Sequence, residues 1–481
     1  MSSDIQPAAS NSAPAHPLVI QGGMGIGISG WRLARAVAMR GQLGVVSGTA
    51  IDSVMVRRLQ DGDPGGDVQR AMAHFPIPGV AESAHRRYFV AESAGQKTYR
   101  SLPMYKQSVS VARQQLTMLA AFVEVWLAKE GHDQPVGLNL LTKVQMPNLA
   151  TLYGAMLAGV DVVLMGAGIP REIPGVLDAL AEHRVASLKF DVAGDPSSVS
   201  ESLTFDPRAH FPDASAPLVR PQFFAIVSAS SLATTLARKA TGRVDGFVIE
   251  GFTAGGHNAP PRGDMTLNER GEPIYGPRDD VDLEKIRQLG LPFWLAGSAG
   301  SPSALRAARA AGAAGVQVGT LFAYCDESGL EPDLKRRVLD SVLEGTVDVL
   351  TDPRASPTGY PFKVVRTRTI DSQDDRRTRV CDVGYLRTPY RTNSGTIGYR
   401  CSAEPVDAYV EKGGEAADTI GRRCLCNGLL ANIGHPQHRA GEAEKPLITS
   451  GDDLITLGSF LRERNRYSAA EVLDYLIGGG V

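Results

Sequence analysis

A histidine suited to moving protons stands at the end of a glycine-packed turn, Glu250-Gly251-Phe252-Thr253-Ala254-Gly255-Gly256-His257-Asn258. An unperturbed imidazole titrates at about 6.5, close to neutral pH. Gly255 and Gly256 carry no Cβ, so the backbone there can come close to a flat ligand. The plainer alternative is a loop histidine beside glycines that only make a turn. Two further turns, Ala296-Gly297-Ser298-Ala299-Gly300-Ser301 and Gly319-Thr320, offer small residues and free backbone N–H groups. Such turns before a helix N-terminus cradle phosphates, although either one alone could simply pack helix on strand. A third group is Gln21-Gly22-Gly23-Met24, Asn139 and Gly166-Ala167-Gly168. The Asn139 carboxamide is able to hydrogen-bond the polar edge of a heterocycle, with Gly22, Gly23 and Gly166 letting the ring lie against the backbone. Satisfying buried backbone carbonyls is an equal alternative for Asn139.

These residues fall at the ends of short apolar, β-branched runs. The runs occupy 18–24, 43–48, 136–141, 160–166, 223–228, 244–250, 292–297 and 315–320. Helical patterns lie between many of them, at 31–40, 148–158, 231–241 and 303–311. Eight near-continuous apolar strands interleaved with helices predict an α/β fold, a (β/α)8 TIM barrel, with an open doubly wound sheet as the alternative. In a barrel the site lies at the carboxyl ends of the strands, where the residues above cluster, and phosphate binds after strands seven and eight.

Three stretches exceed the bare repeat. Residues 53–133 are a long insertion whose end, 108–129, has helical periodicity that reads as a packing face. Residues 186–221 form a second insertion in which 186–191 and 202–205 pair as a hairpin, or 186–191 serves as a barrel strand. The chain then continues some 130 residues beyond the last barrel helix and closes with a helix at 469–477. The loop 258–280 after His257 is long enough for a lid, or else a rigid connection pinned by its prolines.

The 481 residues carry a formal net charge of -2, which gives no electrostatic reason to expect nucleic acid or an anionic membrane. No apolar run reaches the roughly 20 residues that span a bilayer. Residues 1–16 read as a flexible tail, without the basic start and apolar stretch of a signal peptide. Five cysteines in so long a chain suggest a reducing cytoplasm. Cys381, Cys401, Cys424 and Cys426 lie within 46 residues of one another. Only Cys424-Leu425-Cys426 is close, a spacing unlike paired zinc ligands, so no metal site is expected. The bland reading of that stretch is a turn with one buried thiol. His435 and His438 read as surface residues. A homodimer through the insertions is compatible with the sequence, but no pattern specifies it.

The motifs Gln21-Gly22-Gly23-Met24-Gly25, Val136-Gly137-Leu138-Asn139, Glu250 to His257, Leu295-Ala296-Gly297-Ser298 and Gly315 to Phe322 together resemble the nitronate monooxygenase (2-nitropropane dioxygenase-like) flavoproteins. Flavin-dependent enoyl-acyl-carrier-protein reductases share the barrel and the AGGH segment. The resemblance implies FMN, held by an FMN-binding barrel at 17–350, with 351–481 as a C-terminal extension or small subdomain. It implies His257 as the catalytic residue and Gly297, Ser298, Gly319 and Thr320 as the phosphate turns. Gln21, Gly22, Gly23, Met24 and Asn139 would contact the flavin, with Gly166, Glu250, Gly255 and Gly256 beside them. The implied reaction is oxidation of a small alkyl nitronate or nitroalkane by dioxygen. The alternative is an NAD(P)H-dependent enoyl-thioester reductase, which would bring an acyl carrier protein as partner. A barrel that has kept its flavin but lost its chemistry would have no need of His257. Ser298 stands where the family often has a second glycine. Thr358-Gly359 is followed by Tyr360-Pro361-Phe362 where compact members tend to carry an arginine, which makes Tyr360 or Phe362 a shaper of the substrate pocket.

Overall fold

The computed structural model describes residues 16–91, 98–194, 201–374 and 376–478. The N-terminal tail therefore lies almost entirely outside the described residues. Eight parallel strands run in order around one sheet: β1 Val19–Gln21, β2 Gly44–Ser47, β3 Val136–Leu141, β4 Val162–Gly166, β5 Gln222–Val227, β6 Gly246–Glu250, β7 Phe293–Ala296 and β8 Gly315–Val318. β8 pairs with β1, and Ile20 bridges Leu43 in parallel just before β2. The Gln21 N–H donates to Leu43 O at 2.9 Å, which closes the ring. This is the (β/α)8 barrel that the eight runs predict.

The strands read as unbroken apolar runs because both faces are covered. Ile20, Val45, Leu164, Phe224, Val248 and Trp294 fill the barrel interior, with Trp294 stacked on Phe224 at 4.8 Å. The Trp294 indole donates to Pro17 O at 2.8 Å and plugs the amino end. Alternate residues such as Val19, Val46, Val163 and Phe223 face the helical shell.

In the first insertion the helix Val111–Lys129 starts at Ser110, whose side chain accepts from Arg113 N, and buries most of its length. It meets Asn148–Leu157 backbone to backbone at Gly154, where a Cβ would stand 2.1 Å from Met118 O. Ala186–Lys189 pairs antiparallel with Ser202–Phe205, so the second insertion contains the hairpin and not a barrel strand.

Past residue 350 the chain returns to the barrel twice. Asp348–Asp352 (β9) and Phe362–Arg366 (β10) form an antiparallel pair laid against the β6 turn. The helix Ala469–Gly478 places Val472, Leu473 and Leu476 in the same core as the barrel's outer face. No described helix is long and apolar enough to cross a membrane.

Candidate active site

One cavity opens at the carboxyl mouth of the barrel, and the strand ends line it in sequence order. β1 leads into Gly22, Gly23 and Met24, β3 carries Asn139, and β4 ends in Gly166. β6 ends in Glu250 and turns through Gly255, Gly256 and His257; β7 leads into Gly297 and Ser298, and β8 into Gly319 and Thr320. Gly23 is tightly constrained, since a Cβ there would stand 2.2 Å from the Asn139 Cβ. Ser298 adopts φ 49°, a left-handed conformation that favours glycine, so the serine is held there at some cost in strain.

Gln21 departs from its expected role. Its side chain is fully buried, with Nε2 donating to Ser29 Oγ at 2.8 Å and Oε1 accepting from Val45 N at 2.9 Å. Ser29 Oγ in turn donates to Gly22 O at 2.8 Å and accepts from Met24 N at 2.9 Å. Gln21 thus shapes the loop that lines the cavity and does not itself reach the cavity.

His257 is held by the segment beyond residue 350. Lys363 N donates to Gly256 O and Asn258 N to Pro361 O, each at 2.9 Å. The His257 Nε2 lies 2.7 Å from Ser356 Oγ, and the Phe362 ring meets the imidazole edge-on at 4.9 Å. Ser356 is fully buried, and Arg422 fixes its carbonyl at 2.6 Å. Burial, assisted by the nearby Lys143 charge, holds the imidazole well below its ordinary pKa, so it is neutral at pH 7. Lys143 Nζ sits 3.9 Å from the centre of the Tyr360 ring and has no hydrogen-bond partner among the described residues. Burial draws that ammonium down to about 7, against the pull of Glu250. Burial likewise pushes Glu250 up to about 7, against Lys143. A neutral His257 and Glu250 therefore line the cavity, and the Lys143 ammonium, outside the lining, acts on both through its charge.

Several lining or supporting residues went unread in the sequence. Gln317 interrupts the apolar pattern of β8 and leaves Oε1 buried without a partner, a signal visible in the run itself. Lys143 follows Asn139 by four positions, but nothing marks it from the sequence. Ser356, Tyr385, Ser450 and Asp453 come from far along the chain and carry no local signature. Phe362 does line the cavity, as the departure from the compact pattern suggests, whereas Tyr360 is not among its lining residues and packs against Lys143.

The loop after His257 is a pinned connection. Leu267 bridges Pro273, Tyr275 stacks on Phe252 at 4.4 Å, and Arg270 pairs with Asp348 at 2.7 Å. None of residues 259–280 lines the cavity. The four cysteines Cys381, Cys401, Cys424 and Cys426 converge on a second, small cavity, a gathering that their spacing does not announce. Cys424 and Cys426 are both buried at the start of the helix Leu425–Ala431, not in a turn with one buried thiol. Among the described residues no three or more His, Cys, Asp or Glu side chains are placed to hold a metal ion. His435 is not a free surface residue either, because its Nδ1 meets Asp61 at 2.9 Å.

A closed parallel barrel with a glycine-lined mouth and a neutral histidine over it defines the class: a barrel oxidoreductase of the flavin-dependent kind. Within that class, residues 183–424, half of the chain, match the nitronate monooxygenase family, and the chain belongs to it. Among solved structures it is similar to a nitroalkane oxidase from Streptomyces ansochromogenes, at 15% identity over 96% of this chain and 95% of that one, TM-score 0.48. It is also similar to FabK from Thermotoga maritima, at 15% identity over 96% and 92%, TM-score 0.45. The enoyl reductase domain of MlnA from the macrolactin cluster of Bacillus amyloliquefaciens shares 12% identity over 95% and 92%, TM-score 0.46. No curated protein matches the sequence.

Proposed function

We propose that this protein is an FMN-dependent nitronate monooxygenase, which oxidises small alkyl nitronates, and nitroalkanes after loss of a proton, with dioxygen. The observation that carries this reading is His257, neutral and fixed by Ser356, over a cavity walled by backbone. The residues present fit a flavin. Gly22, Gly23 and Gly166 line the cavity where a ring would rest, and Asn139 and the unpartnered Gln317 Oε1 would offer it polar contacts. Gly297, Ser298, Gly319 and Thr320 offer N–H and hydroxyl groups to a phosphate. Bound there, the flavin supplies the redox chemistry, taking electrons from the substrate and passing them to dioxygen.

In this reading residues 17–350 carry the cofactor, and residues 351–481 are an extension that completes the mouth. His257 removes the α-proton of a neutral nitroalkane. That role selects the tautomer in which Nε2–H donates to Ser356 Oγ, leaving Nδ1 with its lone pair. A neutral base needs no prior deprotonation at pH 7. The Lys143 charge nearby favours an anionic nitronate over the neutral acid. Phe362 packs on the imidazole and keeps water from its flank. All five cysteines are free, in keeping with the cytoplasm as the compartment.

The test is the absorption spectrum of the purified protein, followed by oxygen uptake with a small alkyl nitronate. Yellow protein with nitronate-dependent uptake is expected; colourless protein that takes up no FMN overturns the reading. Anaerobic mixing with NADPH decides the reductase alternative: rapid flavin bleaching would move the assignment to an enoyl-thioester reductase.

A further inference from the structure

The four thiols of the extension lie against a wall of the active site. Cys381, Cys401, Cys424 and Cys426 line one small cavity, and Leu386, Leu425 and Cys426 line both that cavity and the large one. The thiols arrive from separate stretches of chain. Cys401 directly follows the hairpin of Thr388–Arg391 with Ile397–Arg400, in which Arg400 pairs with Thr388. Cys381 opens the segment 381–386, which leads from the small cavity to Leu386 on the shared wall. Cys424 and Cys426 flank Leu425 at the start of the helix Leu425–Ala431.

The four are not equivalent. Cys424 Sγ accepts from Asn427 Nδ2 at 3.5 Å and donates to Val380 O at 3.9 Å. Burial keeps the Cys426 thiol protonated. Cys381 and Cys401 partner each other, with the Cys401 thiol donating to the Cys381 sulfur. That bond and the charge of Arg387, which lines the same cavity, hold the Cys381 thiol below its ordinary pKa, against burial and the carboxylates of Glu404 and Asp382. The same contact and burial push Cys401 up, so it keeps its proton. Cys381 is only partly buried, whereas the other three are buried. An accessible thiol with thiolate character, in contact with a protonated second thiol, is the arrangement of an oxidisable pair.

We propose that Cys381 and Cys401 are a hydroperoxide-sensitive pair, oxidised to a reversible disulfide that shifts the active-site wall at Leu386. The Cys381 thiolate attacks one oxygen of hydrogen peroxide; the O–O bond breaks, hydroxide leaves and a sulfenic acid forms. The Cys401 sulfur then attacks the Cys381 sulfur, forming the S–S bond and expelling water. In balance, two thiols lose two electrons and two protons, and the peroxide becomes two waters. Disulfide sulfurs sit about 2 Å apart, well inside the contact distance of separate thiols. Closing the bond therefore draws the two stretches together. The segment 381–386 cannot relax freely, because Asp382 is held by Asn427 at 2.8 Å and Tyr385 by the Asp52 carboxylate. The contraction passes to Leu386. The disulfide itself is independent of the functional reading above; its effect on turnover rests on that reading.

The experiment treats full-length protein with hydrogen peroxide, counts free thiols with a chromogenic thiol reagent, and maps peptides by mass spectrometry without reduction. Two of the five thiols should disappear into a linked Cys381–Cys401 peptide, and dithiothreitol should restore both. Cys401→Ser should give no disulfide and leave a Cys381 sulfenic acid that dimedone traps. Nitronate-dependent oxygen uptake should fall roughly tenfold or more on oxidation and recover on reduction. Cys381→Ser should keep its rate through the peroxide treatment, and its untreated rate is the control for folding. Peroxide that modifies neither thiol, or that links other cysteines, would overturn the proposed pair. A Cys381–Cys401 disulfide that leaves uptake unchanged would overturn the coupling to the wall. Reduced wild-type protein without nitronate-dependent uptake would instead overturn the functional reading.

Discussion

His257 illustrates how much of a residue's chemistry is set by its neighbours. An exposed imidazole would be partly charged at neutral pH, but here burial and the Lys143 charge keep it neutral. His257→Asn should slow turnover of a neutral nitroalkane by ~10²–10⁴-fold while changing turnover of the preformed nitronate far less. Steady-state rates on the two substrates check this, and equal losses would remove the proton-abstraction role. Lys143 and Glu250 make a second prediction. The Glu250 pKa is raised to about 7, so its contribution to stability is full below about 4.5 and is lost as pH rises to 7. The Lys143 pKa is lowered to about 7, so its contribution is full above about 10.5 and is lost as pH falls to 7. The two slopes meet in a trough of stability near neutrality. Urea denaturation at pH 5, 7 and 9 should show that trough in the wild type, and the double substitution Lys143→Met with Glu250→Gln should flatten it.

At the scale of elements, the first insertion is tied to the mouth by one buried cluster. Arg113 on Val111–Lys129 pairs with Asp52 at 2.6 Å, Thr117 donates to the same carboxylate at 2.8 Å, and Tyr385 from the extension donates to it as well. Asp52 and Arg113 are 1% and 5% exposed, so neither can fall back on water. Arg113→Ala would strand the carboxylate and should cost about 3–5 kcal/mol, read from the denaturation midpoint. Tyr385 lines the cavity, so that variant should also hold flavin less tightly. Elements of this kind divide into those legible from sequence and those that are not. β3 and the helix Asn148–Leu157 fall where the apolar pattern places them. The pairing of Ala186–Lys189 stayed open because four alternating residues suit a hairpin edge as well as a barrel strand. The spacing of the cysteines argues against zinc ligands but does not announce their gathering, because ligand spacing is a local rule, whereas Cys381, Cys401 and Cys424 line one small cavity from separate stretches of chain.

At the scale of the molecule, the extension and the barrel share their packing. Tyr467 donates to Leu321 O at 2.8 Å, and Leu473 and Leu476 are buried against the shell. Phe362, Ser450 and Asp453 meanwhile line the mouth, and Ser356 holds His257 from outside the lining. A chain ended after residue 350 would expose that apolar surface and lose the partner of His257. It should aggregate on expression and retain no flavin, which size-exclusion chromatography and absorbance at the flavin band would reveal; a monomeric, yellow truncated protein would contradict it. With closed barrel and open sheet both compatible, the sequence by itself determined the eight strand runs and the glycine-lined turns with His257 among them. Each of these is written in a local period or a short motif whose place is set by neighbours in the chain. The tertiary structure alone decided that Gln21 supports the wall rather than touching the cavity, and that the 258–280 loop is pinned. It also placed Ser356, Lys143 and residues 449–453 around the site. The contacts of Ser356 and of residues 449–453 with the site join residues 99 or more positions apart, and those of Gln21 and the loop join side chains by geometry alone, so no periodicity or spacing carries the information.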